Sequence, residues 1–185
     1  RKLIYPLYKA NRTKPAPVHL AACKQYGVDQ WQAVICEGYE ADDALGIAQV
    51  KSDIEIDQVK DLEADGIYKD RPEKSVICSI DKDLMMIPGI HYNFVKKEFY
   101  NVSKLQALRT FYTQLLVGDP GDNIRGCSGI GKAKAPKILD GCNTEDEMFD
   151  AVRMTYNDDK LMLLNGQLLW LFREVNGIWN PAKLK

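Results

Sequence analysis

The chain has 185 residues, 45% of them hydrophobic and 28% charged, a balance that supports a packed core and excludes an intrinsically disordered chain. It has no apolar run of about 18 residues, and its first six residues hold no long apolar stretch, so neither a membrane span nor a secretory leader is expected from these residues. The net charge of −1 comes from 25 Lys+Arg and 26 Asp+Glu, yet the charges are segregated. Residues 1–28 carry six cations (Arg1, Lys2, Lys9, Arg12, Lys14, Lys24) and no acid, and residues 123–139 carry four (Arg125, Lys132, Lys134, Lys137), again with no acid. Residues 37–65 hold ten carboxylates against two lysines, so two basic patches flank an acidic block, a layout suited to a polyanion plus metal cations. Five cysteines without C-x-x-C spacing and only two histidines leave no zinc pattern and fit free thiols in a reducing cytosol.

In chain order, the sequence opens without Met in a basic segment and reads as a fragment. Residues 16–26 have helical character, residues 32–36 form an apolar run of strand length, and residues 40–50 read as a helix. The charged stretch 51–74 reads as a helix end followed by a solvated excursion. Residues 75–80 are a β-branched run suited to a buried parallel strand, followed by a sharp turn at Asp81-Lys82-Asp83, and residues 90–100 suggest one or two further strands. Ser103 is placed to cap a helix whose apolar positions Leu105, Leu108, Phe111, Tyr112, Leu115 and Leu116 recur at helical spacing, and no strand is expected beyond it. The expected fold is α/β, a parallel-sheet core over residues 1–103 followed by a helical lobe over residues 104–185. There is no internal repeat.

Three acidic clusters stand beside glycines or at strand ends: Glu40-Ala41-Asp42-Asp43, Asp81-Lys82-Asp83 and Asp119-Pro120-Gly121-Asp122. Taken singly, each could be a solvated first turn of a helix, where acids are favoured. Together they could converge at the carboxyl ends of a parallel sheet. Two carboxylates about 4 Å apart repel by roughly 4 kcal/mol at an effective dielectric near 20, so such a pocket needs protons or cations, and all-oxygen donors suit Mg²⁺ or Mn²⁺ better than zinc. The segment Gly126-Cys127-Ser128-Gly129-Ile130-Gly131-Lys132-Ala133 fits G-x-x-x-x-G-K, but Ala133 stands where a nucleotide-binding loop needs Ser or Thr, which argues against an NTP-hydrolysing switch. Its glycines lead into a cationic helix, Lys132 to Lys137, whose backbone N–H groups can hold a phosphate. The basic segment around Tyr5, Tyr8, Lys9 and Arg12 mixes aromatics with cations as single-strand binders do, whereas Trp170, Phe172 and Trp179 read as packing residues.

Four motifs in order, Tyr8-Lys9-Ala10-Asn11-Arg12, Gly38-Tyr39-Glu40-Ala41-Asp42-Asp43, Ser79-Ile80-Asp81-Lys82-Asp83 and Gly118-Asp119-Pro120-Gly121-Asp122-Asn123-Ile124-Arg125-Gly126, resemble the 5′-nuclease family of flap endonucleases, polymerase-linked 5′→3′ exonuclease domains and phage exonucleases, the last being the most similar. The resemblance implies a PIN-like nuclease core with two divalent ions, Mg²⁺ or Mn²⁺, held by Glu40, Asp42, Asp43, Asp81, Asp83, Asp119 and Asp122. It implies catalytic roles for Lys9, Arg12, Asp42, Asp43, Asp81 and Asp83, with Lys9 and Arg12 also contacting DNA beneath a helical arch. A helix–three-turn–helix (helix-hairpin-helix type) would hold duplex through Gly129, Gly131, Lys132 and Lys134, with backbone carbonyls of Ser128 and Ile130 around a potassium ion. The family's first strand, with its metal-binding aspartate, has no counterpart here. The implied partners are DNA with 5′ ends (duplex, nick or flap) and RNA–DNA hybrids, met by a monomer in the cytoplasm, that of the host if the gene is a phage's. The competing expectation is a duplex- or branched-DNA-binding module that does not cut.

Overall fold

The computed structural model describes the backbone of residues 1–64 and 75–184, and the side chains of residues 1–52 and 75–184. The chain starts as a series of tight turns and enters α1 (Leu20–Trp31) only after Pro15 and Pro17, whose missing N–H groups and fixed φ oppose an earlier helical turn. No residue of α1 is buried. The apolar run 32–36, expected as a strand, is irregular: Val34 and Ile35 are 83% and 69% exposed. A strand is held by the hydrogen bonds of its neighbour, and among the described residues none pairs with this segment.

The second helix, α2 (Ala41–Ala64), begins at the first acidic cluster, with Asp42 and Asp43 in its first turn, where carboxylates complement the positive helix end. It runs well beyond residue 50. The rest of the expected charged excursion, residues 65–74, lies outside the described residues.

The main sheet has three strands in the order β1 (Val76–Cys78), β2 (Gly89–Asn93) and β3 (Glu98–Val102). Ile77 on β1 lies in parallel register with His91, and His91 faces Tyr100 across the antiparallel β2–β3 pair. The expected parallel sheet is therefore mixed: the four residues between β2 and β3 turn the chain straight back, while the ten residues between β1 and β2, half of them in a 3₁₀ helix, carry it across in parallel. Nor is β1 buried on both faces: Ile77 is inside, while Val76 is 40% exposed. The turn expected at Asp81-Lys82-Asp83 opens a 3₁₀ helix, Lys82–Met86, with Asp81 as its cap.

Ser103 caps α3 (Lys104–Val117) as expected: its Oγ accepts from the Gln106 N–H at 3.2 Å, and the Gln106 side chain accepts from the Ser103 N–H at 2.8 Å. Beyond α3, where no strand is expected, a two-residue ribbon of β4 (Gly118–Asp119) and β5 (Ile124–Arg125) closes the turn that carries the third acidic cluster. The cationic helix expected from Lys132 to Lys137 is shorter: residues 131–134 turn, and α4 covers only Ala135–Ile138. Then follow α5 (Glu145–Tyr156), α6 (Asp159–Leu169) and a last 3₁₀ turn, Ala182–Leu184.

One buried cluster runs from Ile77, Leu84 and Ile87 through Phe111 and Leu115 of α3 to Met148, Val152 and Met162, so the core draws on both sides of residue 103. Trp170 and Trp179 pack as expected, with ring centroids 4.9 and 5.3 Å from Phe111. No helix among the described residues is long and apolar enough to cross a membrane.

Candidate metal centre and nucleic-acid interface

The three acidic clusters meet. Glu40 and Asp42 at the start of α2, Asp81 and Asp83 at the end of β1, and Asp119 and Asp122 around the β4 turn all line one cavity of about 210 Å³, together with Arg1, Tyr8, Lys9, Arg12 and Gln114. Each is delivered by an element end. Asp81 Oδ1 accepts from the Asp83 N–H at 2.9 Å, and Asp119 Oδ1 accepts from the Gly121 N–H at 2.8 Å, so both acids cap the local turns that aim their neighbours. Among the described residues no three Asp, Glu, His or Cys side chains are already gathered as a metal-ligand group; the carboxylates share a cavity rather than a point.

Electrostatics set two of these acids apart. Burial first, and then the carboxylates of Asp81 and Glu40, push the Asp42 carboxyl above its ordinary value. Burial first, and then Asp81, do the same to Asp83. Asp83 Oδ1 is buried with no hydrogen-bond partner, and the nearby Lys82 Nζ, at 3.9 Å, is too far to donate. An orphaned carboxylate oxygen among five other carboxylates fits a hard divalent cation.

Cations line the same cavity beside the acids. Lys9 Nζ donates to Glu40 Oε1 at 2.7 Å and lies 3.7 Å from Asp122 Oδ2, while Arg12 pairs with Asp122 Oδ1. Between them Tyr8, expected on the surface as a stacking aromatic, is buried at 3% exposure. Its OH donates to Asp122 Oδ2 at 3.0 Å and stands 3.2 Å from Glu40 Oε2. Burial, and then Glu40, raise the phenol pKa, so Tyr8 remains a neutral donor that aligns two carboxylates. Asn11 and Asn123 tie the basic segment to the β4 turn through the carbonyls of Pro120 and Leu7.

Asp43 is not in this cavity. It is 2% exposed and binds the guanidinium of Arg1 through both oxygens, at 2.6 and 2.8 Å. Neither Arg1 nor the buried Tyr8 hydroxyl is singled out by sequence reasoning. For Tyr8 the three-residue spacing from Tyr5, which packs against the same core, was the available signal; for Arg1 there was none.

The Gly-rich loop does not line the acidic cavity. Gly129 has φ of 73° and, like Gly131, has open space where a side chain would be. Lys134 Nζ donates to the Gly129 carbonyl at 3.0 Å, while Lys132 is exposed. A second cleft of about 670 Å³, lined by Met85, Thr113, Val117 and Lys132 among others, shares Asp83, Gln114 and Asp119 with the acidic cavity.

No family model matches the chain. In sequence it is 29% identical over 161 residues to DNA polymerase I of Caldicellulosiruptor bescii, covering 80% of this chain and 18% of that protein. It is 28% identical over 123 residues to a 5′-3′ exonuclease of Mycoplasmopsis pulmonis, covering 64% of this chain and 37% of that one. These matches support a likeness to the 5′-nuclease family. It spans well under half the length of either curated relative. Its fold is that of the bacteriophage T5 5′-exonuclease: the zinc-bound structure of that enzyme aligns with a TM-score of 0.62 at 18% identity, covering 91% of this chain and 68% of that one. The T5 flap endonuclease in a complex with DNA and metal ions aligns with a TM-score of 0.60 at 17% identity, over 91% and 68% of the two chains.

Proposed function

We propose that this chain carries the catalytic centre of a divalent-metal-dependent 5′ nuclease, a 5′→3′ exonuclease or structure-specific endonuclease that hydrolyses DNA phosphodiesters to 5′-phosphate products. The observation that carries the reading is the single cavity in which six carboxylates from three separate elements face Lys9 and Arg12. Glu40, Asp42, Asp81, Asp83, Asp119 and Asp122 would hold two Mg²⁺ or Mn²⁺ ions, whose chemistry is to activate water and neutralise charge on the phosphoryl group. Tyr8 keeps Glu40 and Asp122 aligned. Lys9 and Arg12 stand where a scissile phosphate would enter, and their charges stabilise the phosphoryl oxygens as negative charge builds in the transition state. Water adds to phosphorus and the bond to the 3′-oxygen breaks, leaving the phosphate on the 5′ end.

On this reading residues 1–103 supply most of the nuclease core, completed by Asp119 and Asp122 of the β4 turn, and the rest of residues 104–185 the duplex-holding lobe, in which Gly129, Gly131, Lys132 and Lys134 take backbone phosphates without reading bases. Gly129, whose carbonyl already faces the Lys134 ammonium, lies between Ser128 and Ile130, the carbonyls assigned to a potassium ion. The proposed substrates are DNA with 5′ ends and RNA–DNA hybrids, met by a monomer in the cytoplasm. The relatives' names, a DNA polymerase I and a 5′-3′ exonuclease, support the assignment.

The test is single-turnover cleavage of 5′-labelled recessed and flapped duplexes with Mg²⁺ titrated. Asp81→Asn keeps the oxygen that accepts from the Asp83 N–H but removes a charge, and is expected to slow cleavage by about 100-fold or more while duplex binding stays within about threefold. Near-parental cleavage by Asp81→Asn would remove that residue from the centre. A chain that binds duplex at every metal concentration without cutting it would be a DNA-binding module.

A further inference from the structure

We infer that Arg1 and Asp43 form a buried positioning pair that fixes Glu40 and the first turn of α2 at the acidic cavity, and that Asp43 is not itself a cation ligand. The inference rests on the metal reading above and changes its ligand set by one residue. Successive helical residues point about 100° apart, so Asp42 and Asp43 leave α2 in different directions. Asp42 lines the cavity and Asp43 does not.

Asp43 has no free oxygen. Its Oδ2 accepts from Arg1 Nη1 at 2.6 Å, and its Oδ1 accepts from Arg1 Nη2 at 2.8 Å and from the Phe172 N–H at 3.0 Å. Arg1 is used as completely. Its Nε donates to the Leu168 carbonyl at 2.9 Å, its Nη2 also donates to the Trp170 carbonyl at 2.7 Å, and its guanidinium lies 5.7 Å from the Phe172 ring. The same side chain, 8% exposed, brings Nη1 within 3.3 Å of Glu40 Oε2. One guanidinium thus joins the first turn of α2 to residues 168–172 and touches a cavity carboxylate. The seating is tight: one turn on from Asp43, a Cβ at Gly46 would collide with the Phe172 carbonyl. A planar, five-donor group meets all of these acceptors at once, which a lysine cannot.

The experiment titrates Mn²⁺ into the full chain by calorimetry, with a thermal midpoint for each variant. Asp42→Asn, which alters a cavity ligand, is expected to weaken Mn²⁺ on the order of 30-fold. Asp43→Asn is expected to lower the thermal midpoint yet keep Mn²⁺ affinity within about threefold of the parent. The double variant Arg1→Met/Asp43→Leu removes one charge of each sign and replaces the pair by apolar contact, so it should stay folded. With net charge unchanged, it should bind Mn²⁺ about tenfold more weakly, because Glu40 has lost the contact that ties it to the buried pair and keeps only Lys9 and Tyr8. Arg1→Lys, which keeps the charge and loses the fork, supplies the same readout if the double variant does not fold.

A folded double variant, or failing that Arg1→Lys, with parental Mn²⁺ affinity would reduce the pair to plain structure and overturn the inference. So would Asp43→Asn losing as much affinity as Asp42→Asn. A parent chain that binds no Mn²⁺ would overturn the metal reading itself and this inference with it, a result distinct from the other two.

Discussion

At Asp42 and Asp83, burial and like charge act in the same direction, and both raise the carboxyl pKa. A group whose folded pKa exceeds its unfolded value of 3.8 stabilises the fold fully below that pH, and this contribution is lost as pH rises through the folded pKa. As pH rises and these groups ionise, their mutual repulsion grows, and a divalent cation relieves it. Millimolar Mg²⁺ should therefore raise the thermal midpoint at pH 7, with the increment shrinking as pH falls and Asp42 and Asp83 protonate. Scanning calorimetry with and without Mg²⁺ across that range checks it; an increment independent of pH would place the ion elsewhere. The neighbouring cations are part of the same balance, since Lys9 and Arg12 already sit on Glu40 and Asp122 and must share those carboxylates with any ion that enters.

Elements are held by a few local devices, and their failure should be measurable. The capping box of Ser103 and Gln106 starts α3, the helix on which both halves of the core pack. Ser103→Ala should cost about 1 kcal/mol, a fall of roughly 2–4 °C in the thermal midpoint for a chain of this size. A larger penalty is expected in α6. There Gly166 lies against the indole of Trp179 so closely that a Cβ would overlap the ring, and Trp179 in turn packs edge-on to Phe111 and against Phe149. Gly166→Ala should destabilise by about 2 kcal/mol or more through overpacking, despite the better helix propensity of alanine. A midpoint at or above the parent's would mean that Trp179 can move aside without loss. Of these two devices only the cap is legible in the sequence, because Ser103 and Gln106 are local, whereas the Gly166–Trp179 contact joins residues that meet only through the fold.

Across the whole molecule, a sequence with almost no net charge joins an acidic cavity, lined also by Lys9 and Arg12, to Lys132 of the Gly-rich loop through a neighbouring cleft that shares Asp83 and Asp119. Lys132 is the cleaner probe of that loop, since Lys134 also holds it through the Gly129 carbonyl. Lys132→Ala should weaken duplex affinity and reduce the slope of log affinity against log salt by about one, with no change in base preference. Titration of fluorescent duplex at several salt concentrations measures this, and an unchanged slope would remove Lys132 from the interface.

The sequence by itself determined the chemistry available: three acidic clusters at element ends, a basic segment before them, a Gly-rich cationic loop after them, and the helical period of α3. These are local facts, set by residue type and spacing. It also allowed a strand at residues 32–36 and a fully parallel sheet, because an apolar run does not say whether a neighbouring strand will pair with it. Only the tertiary structure decided that β3 returns antiparallel, that Tyr8 is an internal donor between two carboxylates, and that six of the seven acids share a cavity while Asp43 turns away to Arg1. Those outcomes depend on which backbones and charges are brought within a few ångströms, and contacts between residues 42 or 114 positions apart, such as Arg1 with Asp43 and Tyr8 with Asp122, leave no periodicity in the chain from which to read them.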